Sequence, residues 1–353
     1  MANATRDELD RRIKRGEPIT GMDLGGAELA GADLGGGLFE KISLRGADLT
    51  GASLKESIFH DCDLREAKLS GAGLRHTRLH HCDLGSADLS GADLTMLRVT
   101  DSRLTGARLT GADMLNAALH GSDLTGADLG RAVLERTTFL DSVLVRVGFN
   151  GAELRQTVLY RADLGSASFA GARFQKAILV EARLAGQDLS GHDLTLTQLI
   201  GADLQGVNLT GCTLTQCNFQ GSNLTGARLD DAKGQSALFP AATLRKASLL
   251  RATLVRSIFT DADLSGADLS RAELVESVFT RARLREAVLR DAVLRDADLS
   301  YADLSGADLS GASLLRARLH RVRDEGTVWA GSRAAAFGDD AELAEAEQFQ
   351  PVD

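Results

Sequence analysis

The stretch ADLSGADLSGASL, residues 302–314, repeats with a period of five residues. A strand alternates every two residues and a helix turns every 3.6, so neither regular element explains this period. Steps of five from Leu24 reach Leu319 without an insertion, which gives 60 repeats over residues 22–321. The central residue is Leu in 47 repeats and Phe in ten, and the residue two positions earlier is Ala in 37. The pattern therefore predicts one continuous repeat array.

Each repeat combines a short extended side with a corner. The small residue and the central Leu are two positions apart, so on an extended segment both face the same way. The two remaining positions are rich in Gly, Ser, Thr, Asp and Arg, a composition typical of turns. Sides and corners repeated in one sense wind into a solenoid that buries the small residue and the Leu.

The positions of the Phe residues indicate how many sides make one coil. Seven of the ten central Phe residues are separated by multiples of 20: Phe39, Phe59, Phe139, Phe219, Phe239, Phe259 and Phe279. Twenty residues correspond to four sides of five. The sequence therefore predicts an all-β, four-sided solenoid of about 15 coils.

The repeat pattern resembles the pentapeptide-repeat family, whose motif is A(D/N)LxG, and the resemblance extends over the whole array at 22–321. It implies a right-handed quadrilateral parallel β-helix. It does not specify a function, because the repeats encode a shape.

The termini are predicted to cap the array. Residues 1–21 form an N-terminal helical cap in which Thr5 and Glu8 provide a capping box. Residues 22–321 form the β-helix, and residues 322–353 form a C-terminal cap and an acidic tail. Val328 and Trp329 are expected to cover the last coil. For the tail itself, DDAELAEAEQFQPVD at 339–353, disorder is favoured over a weak helix.

One repeat departs from the pattern in its core. In AKGQSALFP, residues 232–240, the centre is Gly234, and Pro240 occupies a corner. A Leu-sized volume is therefore missing. Because the register continues on both sides, a local dent or bulge is favoured over a domain break.

Charge and hydropathy limit the classes of partner. The net charge is −9, of which −7 falls in residues 324–353, so the body carries only about −2. Binding of nucleic acid needs a dense basic surface, which this sequence lacks. No apolar run is long enough to span a membrane, and the charged N-terminus does not resemble a secretory signal. We expect a soluble, cytoplasmic protein that binds neither nucleic acid nor membrane directly.

Cysteines and histidines supply the reactive groups. Cys62, Cys82, Cys212 and Cys217 all occupy the small inward position. Cys62 and Cys82 are one predicted coil apart, a spacing that permits a disulfide, but buried thiols in place of Ala are favoured.

His60, His80 and His120 share one corner column, with His81 beside His80 and Asp61 near His60. No third and fourth metal ligand follows at a recognisable spacing, so a solvated surface is favoured over a metal site. No catalytic triad, phosphate loop or carboxylate pair stands out from the repeat. We predict no enzymatic activity, no cofactor and no bound metal.

The four predicted sides differ in their outward residues. On the side that carries the Phe column, a single acid, Asp298, directly precedes a centre, whereas the other sides carry eight, seven and six acids. We predict an exposed apolar patch there, which binds a protein partner or a second copy of the chain. The patch comprises Leu140, Val158, Tyr160, Ile178, Val180 and Ile200. The alternative is that β-branched residues merely suit an extended side.

Two functions remain open. The first is a non-enzymatic scaffold or adaptor. The opening TRDELDRRIKRGEPITGMDLGGAELAGADL, residues 5–34, resembles pentapeptide-repeat modules found beside bacterial type VI secretion components, which implies an accessory role with a secretion component as partner.

The alternative function also follows from the resemblance. Some family members resemble duplex DNA, bind DNA gyrase and protect it from inhibitors, and some form homodimers. The partner would then be a topoisomerase. A body charge of about −2 argues against duplex-like potential, while the three acidic sides keep this function open.

Overall fold

A computed structural model of the chain describes residues 6–348 and divides it into two compact units, Met1–Arg183 and Leu184–Asp353. The first unit begins with helix α1 (Arg6–Lys14), whose Leu9 is fully buried. Gly16 follows in the left-handed region at φ +67. The N-terminal helix is therefore present, whereas Thr5 of the predicted capping box lies outside the described residues.

Seven short parallel strands follow α1 in the first unit, and each of the first six pairs with the strand one coil later. They are β1 (Ile19–Thr20), β2 (Leu38–Glu40), β3 (Ile58–His60), β4 (Arg78–His80), β5 (Arg98–Thr100), β6 (Ala118–His120) and β7 (Thr138–Leu140). Ile19 pairs with Phe39, so parallel pairing already begins in the segment before the predicted start of the repeats at residue 22.

The other three sides pair through single parallel bridges with the same 20-residue step in most coils. Asp23 bridges to Ser43, and the next two sides follow at residues 28 and 33. The fold is thus a four-sided parallel β-solenoid, as predicted. Continuous strands define about six turns and not the 15 predicted, because beyond Leu140 the side with the Phe residues also pairs through single bridges.

The second unit keeps the 20-residue step through single bridges, from Asp188 with Asn208 to Asp308 with Val328. Its first coil carries Gln187 and His192 at the inward positions where other repeats have small residues, and both side chains are only half-buried. The repeat period continues through the boundary after Arg183 and does not indicate it. The sequence departs from the repeat pattern near the boundary only by the large polar residues at these two inward positions.

The end of the second unit differs from its prediction. Val328 is 49% exposed, because it occupies the outward position before the centre, while Trp329 is half-buried. A 3-10 helix, Ser332–Ala335, leads to Phe337, which bridges to Arg318. The acidic tail is not disordered over its whole length: Ala341–Gln348 forms helix α2.

Corners explain the polar part of the repeat. Nearly every corner contains a residue in the left-handed region, where glycine fits without strain, as at Gly126 (φ +69). The Asp before the central Leu supports the corner: Asp88 Oδ1 accepts the N–H of Ser90 at 3.0 Å, and Asp303 Oδ1 accepts that of Ser305 at 3.1 Å. The motif aspartates therefore hold the backbone in place.

The core consists of stacked columns of central Leu or Phe beside columns of small residues. In the second unit the rings of Phe219, Phe239, Phe259 and Phe279 stack with centroids 4.7–4.8 Å apart. The Phe column predicted from the 20-residue spacing is thus confirmed within that unit.

Gly234 produces neither a bulge nor a break. Lys233 bridges to Thr253 in the following turn, and the Gly234 N–H donates to the Thr253 carbonyl at 2.8 Å. A Cβ on Gly234 would lie 2.9 Å from Leu254 Cδ2 and 3.1 Å from Leu214 Cβ. The predicted dent is absent, because the Leu side chains in the turns above and below occupy the space.

Candidate protein-interaction face and polar clusters

The predicted apolar patch begins on the Phe side of the first unit. Val158 bridges to Thr138 in the preceding turn and to Ile178 in the following turn. Residues paired in this way on parallel strands project side by side at the strand spacing of about 4.8 Å. Val158 and Ile178 are both half-buried, and they form the centre of the patch.

The adjoining corner column adds Leu140, Tyr160 and Val180. Leu140 is 38% exposed, and the other two are half-buried. Arg161 lies over the Tyr160 ring, 4.8 Å from its centroid, and its Nε donates to Glu181 at 2.6 Å. The structure thus groups five of the six predicted residues in successive turns, and we call Leu140, Val158, Tyr160, Ile178 and Val180 the interaction face.

The sixth residue, Ile200, belongs to the second unit and is half-buried there. It is not included in the interaction face. On the same side of the first unit, Leu38 and Ile58 are register partners and are 41% and 37% exposed. Sequence reasoning placed both in the outward column but did not include them in the patch.

Carboxylates on the corners are frequently neutralised by an arginine one turn away. Arg251 binds Asp231 through two hydrogen bonds of 2.7 Å, and Arg281 binds Asp261 in the same way at 2.7 and 2.8 Å. Hydrogen bonds from these guanidinium groups lower the pKa of both carboxyls. These corner carboxylates therefore add little unpaired charge to the surface.

Three histidines of the first unit, His60, His80 and His81, form a cluster near its surface. The rings of His80 and His81 are 4.0 Å apart, and the His60 ring is 5.2 Å from His80. His60 Nδ1 lies 3.1 Å from Asp61, as the sequence predicted. His120 is two turns away from His80. Asp101 lies close to His80 and His81. The sequence-based prediction did not include Asp101, although its position 20 residues after His81 places it one coil later in the same column.

All four cysteines are buried thiols without a disulfide, as favoured from the sequence. Their Sγ atoms lie near backbone carbonyls, for example that of Cys212 at 2.9 Å from Leu189 O. Burial raises the pKa of Cys212 to about 11. A thiol with a pKa this high is a poor nucleophile at neutral pH.

A cavity of about 740 Å³ lies at the end of the second unit, between the last turns and α2. Tyr301, His320, Phe337 and Leu343 contribute to its lining. His320 is 3% exposed, and its Nε2 lies 3.2 Å from Glu347 Oε1. The cavity is formed by the docking of α2 on the solenoid.

Repeated corners, an enclosed Leu and Phe core and an outward apolar face define a β-solenoid repeat protein. The chain belongs to the pentapeptide repeat family, whose model matches it in eight copies. The copies cover residues 23–61, 57–95, 100–141, 144–175, 177–216, 214–249, 237–274 and 277–316.

Several solved structures are similar to this chain. Pentapeptide repeat protein Rfr23 from the cyanobacterium Cyanothece 51142 is 25% identical, covering 33% of this chain and 90% of that chain with a TM-score of 0.22. HetL from Nostoc sp. strain PCC 7120, involved in heterocyst differentiation regulation, is 26% identical over 74% of this chain and 91% of that chain, with a TM-score of 0.19.

Trypsin-treated QnrB1, a plasmid-mediated fluoroquinolone resistance protein, is 17% identical, covering 67% of this chain and 90% of that chain with a TM-score of 0.26. TM-scores this low support no inference about function. No curated protein matches the chain. Among the described residues, no helix is long and apolar enough to cross a membrane.

Proposed function

We propose that this chain is a non-enzymatic scaffold that binds another protein through the interaction face. The observation that carries the proposal is the grouping of five large apolar side chains on the outside of successive turns. Apolar groups exposed together favour association, because contact with a partner removes them from water. The five residues lie in a regular backbone, so the face is held in place before binding.

The chemistry of the same side suits a protein partner. The register partners Arg78 and Arg98 separate the interaction face from the apolar pair Leu38 and Ile58. A surface with apolar contacts around a small basic patch matches the composition of protein interfaces, in which aromatic residues and Arg are enriched. Two arginines fall well short of the basic surface that nucleic acid requires.

A pair of variants tests this function. Val158→Asp combined with Ile178→Asp places charge at the centre of the interaction face. Val143→Asp is the matched control, because Val143 is 46% exposed on a different side of the same unit. Each protein is used to purify partners from the native cells, and candidates are then purified and their binding measured directly. Circular dichroism verifies that each variant is folded.

We expect the double variant to weaken binding of the partner at least about tenfold, since a buried unpaired charge costs several kcal/mol, while the control binds normally. Equal binding by all three proteins would refute the interaction face. Light scattering on the same samples tells whether the partner is a second copy of this chain.

A topoisomerase is the alternative partner. The proposal of a secretion component as partner rests only on the resemblance of residues 5–34. The carboxylates on the acidic sides that would imitate DNA phosphates are partly paired, as with Asp263, whose Oδ2 accepts a hydrogen bond from Arg245 Nε at 2.6 Å. The assay is supercoiling by purified gyrase with and without a fluoroquinolone. Protection or inhibition by this protein would establish the alternative, and its absence would remove it.

A further inference from the structure

His80, His81 and Asp101 meet at one corner of the first unit, outside the interaction face. One ligand atom from each lies within 4.8 Å of the others. His80 ends β4, and His81 follows in the left-handed region at φ +50. Consecutive residues of a regular strand point to opposite faces, but the turn at His81 brings its ring to 4.0 Å from that of His80.

Asp101 reaches the pair from the following turn. It occupies the corner position one 20-residue step after His81, with φ +47, and the His81 N–H donates to the adjacent Thr100 carbonyl at 3.1 Å. The next residue in this column is Gly121. A Cβ there would lie 2.5 Å from Asp101 Oδ1. The absence of a side chain at Gly121 is what leaves room for the carboxylate.

An open groove of about 430 Å³ lies beside these residues. His81, Asp101, Gly121, Asp83 and Asp123 contribute to its lining. The groove provides access from solvent. Its three carboxylates outnumber the one guanidinium in the lining, that of Arg103, so the groove attracts cations. The nearby His60 ring, 6.3 Å from His81, adds to the concentration of imidazole groups.

We propose that His80, His81 and Asp101 bind a single divalent transition-metal ion, with Zn²⁺ as the ion that fits best. Imidazole nitrogens and a carboxylate are common zinc ligands, at about 2.0–2.2 Å. Tetrahedral geometry at these bond lengths separates ligand atoms by about 3.3 Å. Half-exposed and exposed side chains reach this spacing by small rotations, and three protein ligands leave one position for water or an external ligand.

The site is independent of the proposed scaffold function, since it shares no residue with the interaction face. Hard cations are poor alternatives, because Mg²⁺ and Ca²⁺ prefer oxygen ligands and the cluster offers two nitrogens. Metal binding displaces protons from the ligand atoms, so it must weaken as the pH falls.

Calorimetric titration of the tag-free full chain with ZnCl₂, at about pH 7.5, tests the site. We expect one Zn²⁺ per chain. His81→Ala and the nearly isosteric Asp101→Asn should each weaken binding at least about tenfold. His76→Ala is the matched control: His76 is also a left-handed corner residue (φ +59) but does not belong to the cluster.

Further measurements separate the site from adventitious binding. Co²⁺ should give the visible absorption typical of tetrahedral nitrogen and oxygen ligation, and Mg²⁺ should give no heat. Metal-free melting curves of His81→Ala and Asp101→Asn should match the wild type, because these side chains lie at the surface. The proposal is overturned if the wild type binds no Zn²⁺, if both variants bind like the wild type, or if His76→Ala loses binding equally.

Discussion

Gly234 shows that a departure from the repeat need not leave a void. Its neighbours in the column, Leu214 and Leu254, lie so close that even a Cβ at residue 234 would be 2.9 Å from Leu254 Cδ2. The position therefore requires Gly for packing, although 47 of the 60 centres are Leu. A consensus of the repeats would instead suggest Leu at residue 234.

We predict that Gly234→Leu destabilises the protein by about 1–3 kcal/mol, because it overfills a packed core. Urea unfolding followed by circular dichroism measures the change. Leu254→Ala added to Gly234→Leu should recover part of the lost stability, since the smaller Ala side chain makes room for the new Leu. A single Gly234→Leu variant as stable as the wild type would contradict the packing that the structure shows.

At the same scale, the His80, His81 and Asp101 cluster marks the limit of sequence reasoning. The 20-residue step between His81 and Asp101 could be computed from the period. The direction of the side chains could not, because it depends on the left-handed corners at both residues and on the space above Gly121. An alternation rule for strands places His80 and His81 on opposite faces.

Helix α2 depends on tertiary contacts more than on its own propensity. At eight residues it is too short to be stable alone in water. The Glu347 carboxylate lies 3.2 Å from His320 Nε2 and 3.3 Å from Arg321 Nε. His320 Nδ1 in turn accepts the N–H of Asp340 at 3.1 Å, just before the helix begins. These contacts explain why residues 341–348 form a helix, although the composition of the tail alone favoured disorder.

We predict that Glu347→Ala releases α2 from the solenoid. Losing hydrogen bonds to a charged group costs about 1.5 kcal/mol, which corresponds to roughly tenfold faster amide exchange in the helix. Hydrogen exchange with mass spectrometry on residues 341–348 gives the readout. Glu345→Ala is the control, because Glu345 is an exposed acid on the same helix. Equal exchange in both variants would exclude the docking role of Glu347.

For the molecule as a whole, the four-sided solenoid and its Phe column follow from the sequence, because both are consequences of one period. The division after Arg183 and the change from continuous strands to single bridges after Leu140 do not follow from it. Both depend on local backbone geometry that a uniform repeat does not encode. The interaction face was assembled from the same 20-residue sorting, and its binding role stays a prediction.

Aspartates that directly precede a central Leu are present in both units, and their carboxylates accept hydrogen bonds from corner residues. Hydrogen bonds from the residue two positions later lower the pKa of Asp48, Asp88 and Asp188. For Asp308, hydrogen bonds from the Ser310 hydroxyl and N–H, with the Arg290 guanidinium, lower the pKa to about 2. A carboxyl with a lowered pKa stabilises the folded state when ionised, and that contribution is lost as the pH falls.

We therefore predict that the melting temperature is constant above about pH 5 and falls steeply between about pH 4 and pH 2, because unfolded Asp titrates near 3.9. Asn preserves the corner bond without titrating, as Asn208 shows by accepting the Thr210 N–H at 3.1 Å. Replacing Asp188, Asp303 and Asp308 with Asn should reduce the acid-induced decrease, at some cost at neutral pH where Arg290 loses its partner. Thermal melts of both proteins across this range measure the difference. Parallel acid profiles for wild type and triple variant would mean that the aspartates before the central Leu do not control acid stability.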